Sequence, residues 1–430
     1  MTAKSKLSVV IDIGTSKLVA VAGTKDESGK LDVAGIVKTA SKGIKRGVIY
    51  NIEEVAASVQ ETIQQLENKL GESIESVQVA YAGQHMKTIH FQRSRFTSDD
   101  GIVTKFDVDY LMEQAKTCEL DEGYKLVEVI PVTFFVDDEA IQRNPVGVTG
   151  RRIEAHFKLL VVPNSYWLNL NRVFDKIGVK LEGLTHAVFA VTEAVVTRDE
   201  KEMGVVVVDI GCGTTKMAVY HENRLVHTAV IPFGGDVVTS DIKEGCSILL
   251  KYAEQLKIKY GQALGDFADD QKVVTIPGHN GWEPKEISFR SLAFIIQARM
   301  EEIVDSINSQ IKKAGVENFT GAGIVLTGGT SNLENIVALV KYRTGLDVRK
   351  ANLVLNLSER NKDFQQYDYF TALGLLNAAG KKQMPVTPQP VKTVKGKAPK
   401  EPGKLSQRFN SFVQGVLNMV DDDSDDIALN

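Results

Sequence analysis

The segment Val9-Val10-Ile11-Asp12-Ile13-Gly14-Thr15-Ser16-Lys17-Leu18-Val19-Ala20-Val21 returns as Val206-Val207-Val208-Asp209-Ile210-Gly211-Cys212-Gly213-Thr214-Thr215-Lys216-Met217-Ala218-Val219, with aspartates 12 and 209 lying 197 residues apart. This echo constrains the fold more than any bulk property, because it asks for two similar units, each with its own core. Each copy reads as a β-hairpin: β-branched apolar residues favour strands, and glycine lets the tip bend sharply. The second copy has a loop two residues longer. The run Val205 to Val208 is apolar at every position, the pattern of a strand covered on both faces.

The tip of such a hairpin can hold an anion. Gly14, Gly211 and Gly213 let backbone N–H groups approach phosphate oxygens, and the hydroxyls of Thr15, Ser16, Thr214 and Thr215 with the ammonium groups of Lys17 and Lys216 add donors. An aspartate at a strand end beside bound phosphates, Asp12 in one copy and Asp209 in the other, has a magnesium ion and its water shell as its evident partner. One Asp-x-Gly-Thr hairpin reads equally well as a plain turn, whereas two in the same strand context point to a shared purpose. A third glycine loop, Thr327-Gly328-Gly329-Thr330-Ser331-Asn332, follows the apolar strand Gly323 to Leu326 and precedes a helical pattern from Leu333. Strand, glycine loop and helix start make a ready place for a nucleotide.

Between these loops, helical patterns at Ile52 to Lys69, Val237 to Gln255 and Ser291 to Ala314 alternate with strand-like runs, which predicts an α/β fold with helices on both sides of a central sheet. A chain of 430 residues with 43% hydrophobic residues can build two to four such domains. The net charge of -4 gives no global pull toward nucleic acid. Cys118, Cys212 and Cys246 are too scattered for a disulfide framework or a zinc site, so a cytoplasmic setting is expected. No stretch has the roughly 18 apolar residues of a spanning helix.

At Lys381 the composition changes. Residues 381–404 hold five prolines, seven lysines and one acid, the make-up of a flexible linker. Beyond it, Leu405, Phe409, Phe412, Val413, Val416, Leu417 and Val420 fall on one face of a helix, followed by an acidic tail, 421–430. Detached from any core and beginning with Lys404 and Arg408 on its polar side, this helix suits a membrane surface better than a protein groove. Burial is worth about 1.5–3 kcal/mol per large apolar side chain, but partial insertion and helix ordering leave ~5 kcal/mol net. One helix therefore anchors weakly. The linker spans roughly 25–30 Å as a flexible chain, so a polymer could hold many such helices on one membrane.

Taken in order, Asp12 to Lys17, Asp209 to Lys216 and Leu326 to Leu333 resemble the phosphate-1, phosphate-2 and adenosine motifs of the actin, sugar-kinase and heat-shock ATPase superfamily. The resemblance implies two duplicated α/β halves closing on ATP and Mg2+, with Gly328, Gly329 and Thr330 on the nucleoside side. Ala253 to Gly261 is similar to the helix that supplies ribose and adenine contacts in bacterial actins, a role that falls on Glu254 and Lys257. Within the superfamily, Ile231 to Ile242, Gly323 to Gly329 and Thr371 to Leu376 resemble the FtsA family of bacterial cell-division proteins over nearly the whole chain. That resemblance implies an actin-like ATPase fold with a small inserted subdomain and a terminal amphipathic helix. The expected divisions are 1–83 with 163–202 and about 360–380 for the first half, 84–162 for the insert, 203–245 with 303–359 for the second half, and 246–302 for its smaller subdomain; 381–404 is the linker and 405–420 the membrane-targeting helix.

The family's function implies a self-assembling scaffold that tethers the tubulin-like protein FtsZ to the cytoplasmic membrane at the division septum. Actins and heat-shock ATPases place a Gln or Glu near the end of the first half to orient water, and here Gly183 to Phe189 offers only Thr185 and His186. His186 is expected to pack or start a helix, and ATP turnover to be slow or negligible. The competing classes are a phosphotransferase of the sugar-kinase type, for which no acid recommends itself as catalytic, and an actin-like adaptor of a pilus system.

Overall fold

Two five-stranded sheets with the same strand order carry the chain. The first runs Leu31–Ala40, Lys17–Lys25, Ser8–Ile13, Ser76–Tyr81, Lys180–His186, and the second Arg224–Ile231, Thr215–His221, Val205–Ile210, Ile324–Thr327, Val348–Lys350. In each, the first three strands form an antiparallel meander and the last two join in parallel. The echo in the sequence is thus the central hairpin of each sheet. This computed structural model describes residues 7–379 apart from 27, 142–143, 279–282, 317–318 and 362. The expected linker, amphipathic helix and acidic tail lie outside the described residues. Among the described residues, no helix is long and apolar enough to cross a membrane.

Val205 to Val208 are all fully buried, as a strand with both faces covered requires. One face packs on the long helix Phe289–Ala314 through Ile303, Val304 and Ile307. The other meets Val188, Val191 and Val195 of helix Ala187–Val195 and Phe370 of helix Tyr367–Ala378, an apolar seam that joins the two halves. The chain's last described helix therefore returns to the first half, where Ala372, Leu373 and Leu376 enter the core of the first sheet.

Helix Ile52–Leu70 covers that sheet's opposite side. Asn51 caps it by accepting from the N–H groups of Glu53 and Glu54 at 3.1 and 3.3 Å, and Val55, Val59, Ile63 and Leu66 form its buried stripe. The stretch Val237 to Gln255, expected as one helix, is two: Gly235–Cys246 and Leu250–Tyr260. Ser247 breaks it at φ 49, in the left-handed region, while its N–H and that of Ile248 bond back to Glu244 and Lys243.

Between Ser76–Tyr81 and Lys180–His186 the chain leaves the first sheet and builds a separate antiparallel one, ordered Lys87–Phe96, Arg152–Pro163, Tyr124–Val136, Glu139–Ile141. Ile153, Ala155, Phe157 and Leu159 alternate onto one face and bury Leu111 and Ala115 of helix Lys105–Lys116. This small core stands apart from those of the two halves.

Where the inserted sheet meets them, a cavity of about 490 Å³ is lined by Glu128, Thr185, Tyr220 and Leu225. Glu128 Oε2 is buried there with no hydrogen-bond partner, and desolvation pushes its carboxyl from 4.5 up to about 7. A carboxyl raised in the fold keeps a proton that the unfolded chain has released, so its stabilising share is complete below the unfolded value of 4.5 and is lost as pH rises through about 7. We expect Glu128→Gln to match the parent near pH 4 and to exceed it at pH 8 by about 3 kcal/mol. Denaturant midpoints of both proteins at the two pH values are the check; a gap that does not change with pH is the contrary result.

Candidate functional site

The same hydrogen bond closes both hairpin turns: the N–H of Gly14 donates to Lys17 O and that of Gly211 to Thr214 O, each at 3.0 Å. The turns are equal in length, which corrects the reading of the second as two residues longer. Aligning lysine on lysine forced a gap that the backbone does not have. Lys17 ends its turn, whereas Lys216 stands within the returning strand directly opposite Asp209, where the first hairpin sets the buried Val19 opposite Asp12. Directly opposed residues share a face of the sheet, so Lys216 Nζ lies 2.7 Å from Asp209 Oδ2. Lys17 instead pairs with Asp368 Oδ1, and Lys38 Nζ takes the other oxygen at 2.8 Å.

The two turns face each other. A Cβ on Gly213 would lie 2.7 Å from Thr15 Oγ1, so only glycine permits this approach, and Thr15 Oγ1 in turn accepts from the Gly47 N–H at 3.2 Å. Behind them the third loop presses on the end of the second hairpin. Gly328 has φ 88, and a Cβ there would lie 2.4 Å from Asp209 Oδ1 and 2.5 Å from Ile210 O. Gly329, by contrast, has nothing within 4 Å of a would-be Cβ. Thr330 Oγ1 donates to Gly211 O at 2.9 Å and ties this loop to the second turn. The loop does not lead straight into a helix as expected: it makes a 3-10 turn over Gly329–Asn332, and the helix begins at Ile336 after Asn335 in the left-handed region.

These three loops enclose one cleft of about 460 Å³. Asp12, Gly14, Thr15, Ser16 and Lys17 line it from the first half, and Asp209, Gly211, Gly213, Thr214 and Lys216 from the second. Gly328, Gly329 and Thr330 line its far side with Glu254 and Lys257 of helix Leu250–Tyr260. Thr215 alone among the residues expected at the site is elsewhere: it is fully buried, and its hydroxyl donates to Phe233 O at 3.0 Å. Asp368 and Lys38 also line the cleft and escaped the sequence reading, because neither belongs to a glycine loop. The only clue was two lysines in need of a carboxylate.

Lys257 is fully engaged. Its Nζ reaches Gly235 O at 2.8 Å, Thr239 Oγ1 at 2.7 Å and Glu254 Oε2 at 2.7 Å, so it holds Glu254 in place and has no donor to spare. Glu254 keeps an open edge toward the cleft, its side chain 45% exposed. Burial pushes Asp12 up from 3.8 to about 6, against the lowering pull of Lys216 and Lys17. For Lys216, desolvation is outweighed by the charges of Asp209 and Asp12, and the ammonium is held above its ordinary range.

His186 starts a helix, as expected. Its Nδ1 accepts from the Val188 N–H at 3.1 Å as the N-cap of Ala187–Val195, and burial beside Lys216 pushes the ring down to about 3. The imidazole is neutral at pH 7, with Nδ1 occupied. Among the described residues, no cluster of three or more His, Cys, Asp or Glu side chains is arranged to hold a metal.

Two family models match the chain: "Cell division protein FtsA" over residues 206–374 and "SHS2 domain inserted in FTSA" over residues 83–161. The cell division protein FtsA of Pseudomonas aeruginosa is 31% identical over 415 residues, spanning 95% of this chain and 98% of the relative. That of Escherichia coli K12 is 32% identical over 379 residues, 86% and 90% of the two chains. Among solved structures, a PilM-PilN type IV pilus biogenesis complex superposes with a TM-score of 0.59 at 14% identity, covering 86% of this chain and 97% of its own. MreB5 of Spiroplasma citri bound to ADP gives 0.52 at 14% identity, covering 87% and 97%. The fold is therefore that of the actin-like ATPases, and the separate antiparallel sheet falls within the residues of the inserted SHS2 domain but for the last two of strand Arg152–Pro163.

The two glycines of the third loop give a paired test. Gly328→Ala meets both a positive φ and backbone closer than contact, and should destabilise by about 2–4 kcal/mol. Gly329→Ala enters open space and should stay within about 0.5 kcal/mol of the parent. Thermal melts decide, and equal melting of the two variants would contradict the packing described.

Proposed function

The chain belongs to the FtsA family of cell division proteins, and from that premise we propose that it binds ATP in the cleft, assembles with copies of itself and holds FtsZ at the membrane. It is an actin-like cell division protein. The observation that carries the nucleotide reading is the convergence of both hairpin turns and the third glycine loop on one cleft. Backbone N–H groups and the hydroxyls of Thr15, Ser16 and Thr214 suit the phosphates, Glu254 a ribose hydroxyl, and Gly328 with Gly329 the nucleoside. The ADP held by the similarly folded MreB5 supports the same reading. A divalent ion fits less well: Asp12 faces the cleft, but Asp209 is already taken by Lys216. His186, neutral and spent as a helix cap, offers no general base, which supports slow or negligible hydrolysis.

Gly329→Leu should fill the nucleoside side without touching the core. We expect ATP binding to fall at least tenfold, about 1.4 kcal/mol or more, at unchanged melting temperature. Calorimetric titration that finds the variant binding ATP as the parent does would remove the cleft assignment.

FtsZ and the membrane rest on the family and on the apolar face of Leu405, Phe409, Phe412, Val413, Val416, Leu417 and Val420. The smaller subdomain of the second half, 246–302, is the place on this chain that the family resemblance gives to the FtsZ tail. Phe409→Glu with Phe412→Glu sets two charges in the middle of the apolar face, removing a few kcal/mol of burial from an anchor worth ~5 kcal/mol. The double variant should keep its melting temperature and its ATP binding yet leave liposomes in co-sedimentation. Continued co-sedimentation, or a much lower melting temperature, contradicts the anchor.

A further inference from the structure

The phosphate end of the cleft is already balanced in charge by side chains alone. Asp368 is met by Lys17 and Lys38, and Asp209 by Lys216, whose charge is also the strongest opposite charge acting on Asp12. Lys216 is not a surface lysine that happens to reach inward. Its side chain is 14% exposed and that of Asp209 8%, and the hairpin register sets the two directly across from each other. Nor does the fold demand a cation at this register, since the first hairpin places Val19 there. Two carboxylates in a water-poor cleft need positive charge close by, from a hydrated divalent ion or from a buried ammonium. Here the ammonium is built into the strand, and a divalent ion sharing the same carboxylates would have to sit against it without the screening of bulk water.

We propose that Lys216 is a built-in counter-cation that does at Asp209 and Asp12 what a divalent ion would otherwise do, so that the cleft takes ATP with little dependence on Mg2+. Asp209 uses one of the three donors of the ammonium, and Nζ makes no other hydrogen bond to the described residues, so it can turn a donor toward a phosphate oxygen while staying paired. This inference rests on the nucleotide reading, and the test separates the two.

Calorimetric titration of the full-length protein with ATP, in excess EDTA and in millimolar Mg2+, should give affinities within about threefold of each other. For Lys216→Gln, affinity in EDTA should drop by about tenfold or more and Mg2+ should recover most of it. A second readout needs no nucleotide: Mg2+ alone should raise the melting temperature of Lys216→Gln, whose carboxylates have lost their partner, and leave that of the parent unchanged. A Lys216→Gln protein that folds only when Mg2+ is present also supports the proposal. If the parent binds ATP in Mg2+ and loses tenfold or more in EDTA, the nucleotide reading stands and the counter-cation is overturned. If the parent binds ATP in neither condition, both fall. A Lys216→Gln variant with the parent's indifference to Mg2+ in both readouts overturns the role of Lys216.

Discussion

Everything at the cleft depends on the burial of the two central strands, Ser8–Ile13 and Val205–Ile210. A strand walled in by apolar layers can carry a charged side chain only where it runs out of core, and that is where Asp12 and Asp209 stand. There the chain must reverse at once, because the opposite half occupies the space ahead, and a glycine turn is the reversal that fits. The cleft is thus a consequence of how two copies of one hairpin meet tip to tip, with Thr15 against Gly213.

Much of this was legible in the sequence, since runs such as Val205 to Val208 and glycine tips are local signals that tertiary context reinforced. Most of the illegible parts share one cause: they depend on which residues meet across the fold. Lys17 and Lys216 look equivalent in one dimension, yet Lys17 opens its strand where the turn closes and Lys216 stands directly opposite an aspartate, and only the pairing register separates them. Thr215 reads as a loop hydroxyl and is a strand residue bonded to Phe233. Asp368, 351 positions from the lysine it pairs with, carries no local mark at all. The break at Ser247 was hidden because apolar spacing continues on both sides of it, and a serine in the left-handed region has no strong sequence signature.

The cleft also shows how differently three lysines can be used. Lys257 spends every donor on fixing Glu254, Gly235 and Thr239, and acts as a girder. Lys17 shares Asp368 with Lys38, so its charge is partly offset before any ligand arrives. Lys216 keeps donors in hand. Side chains of the same type thus differ in what they can still do: the count of satisfied donors sets Lys257 apart, and the sharing of a carboxylate with a second lysine separates Lys17 from Lys216.

The helix Tyr367–Ala378 belongs to the first half although it is the last element before residue 380. On the ribosome, then, a half that began with the first strand stays open at its core, and Lys17 and Lys38 wait without Asp368, until almost all of the globular chain has been made. Completion of the first half, and with it the pairing of charges at the phosphate end of the cleft, is therefore among the last events in the synthesis of residues 7–379.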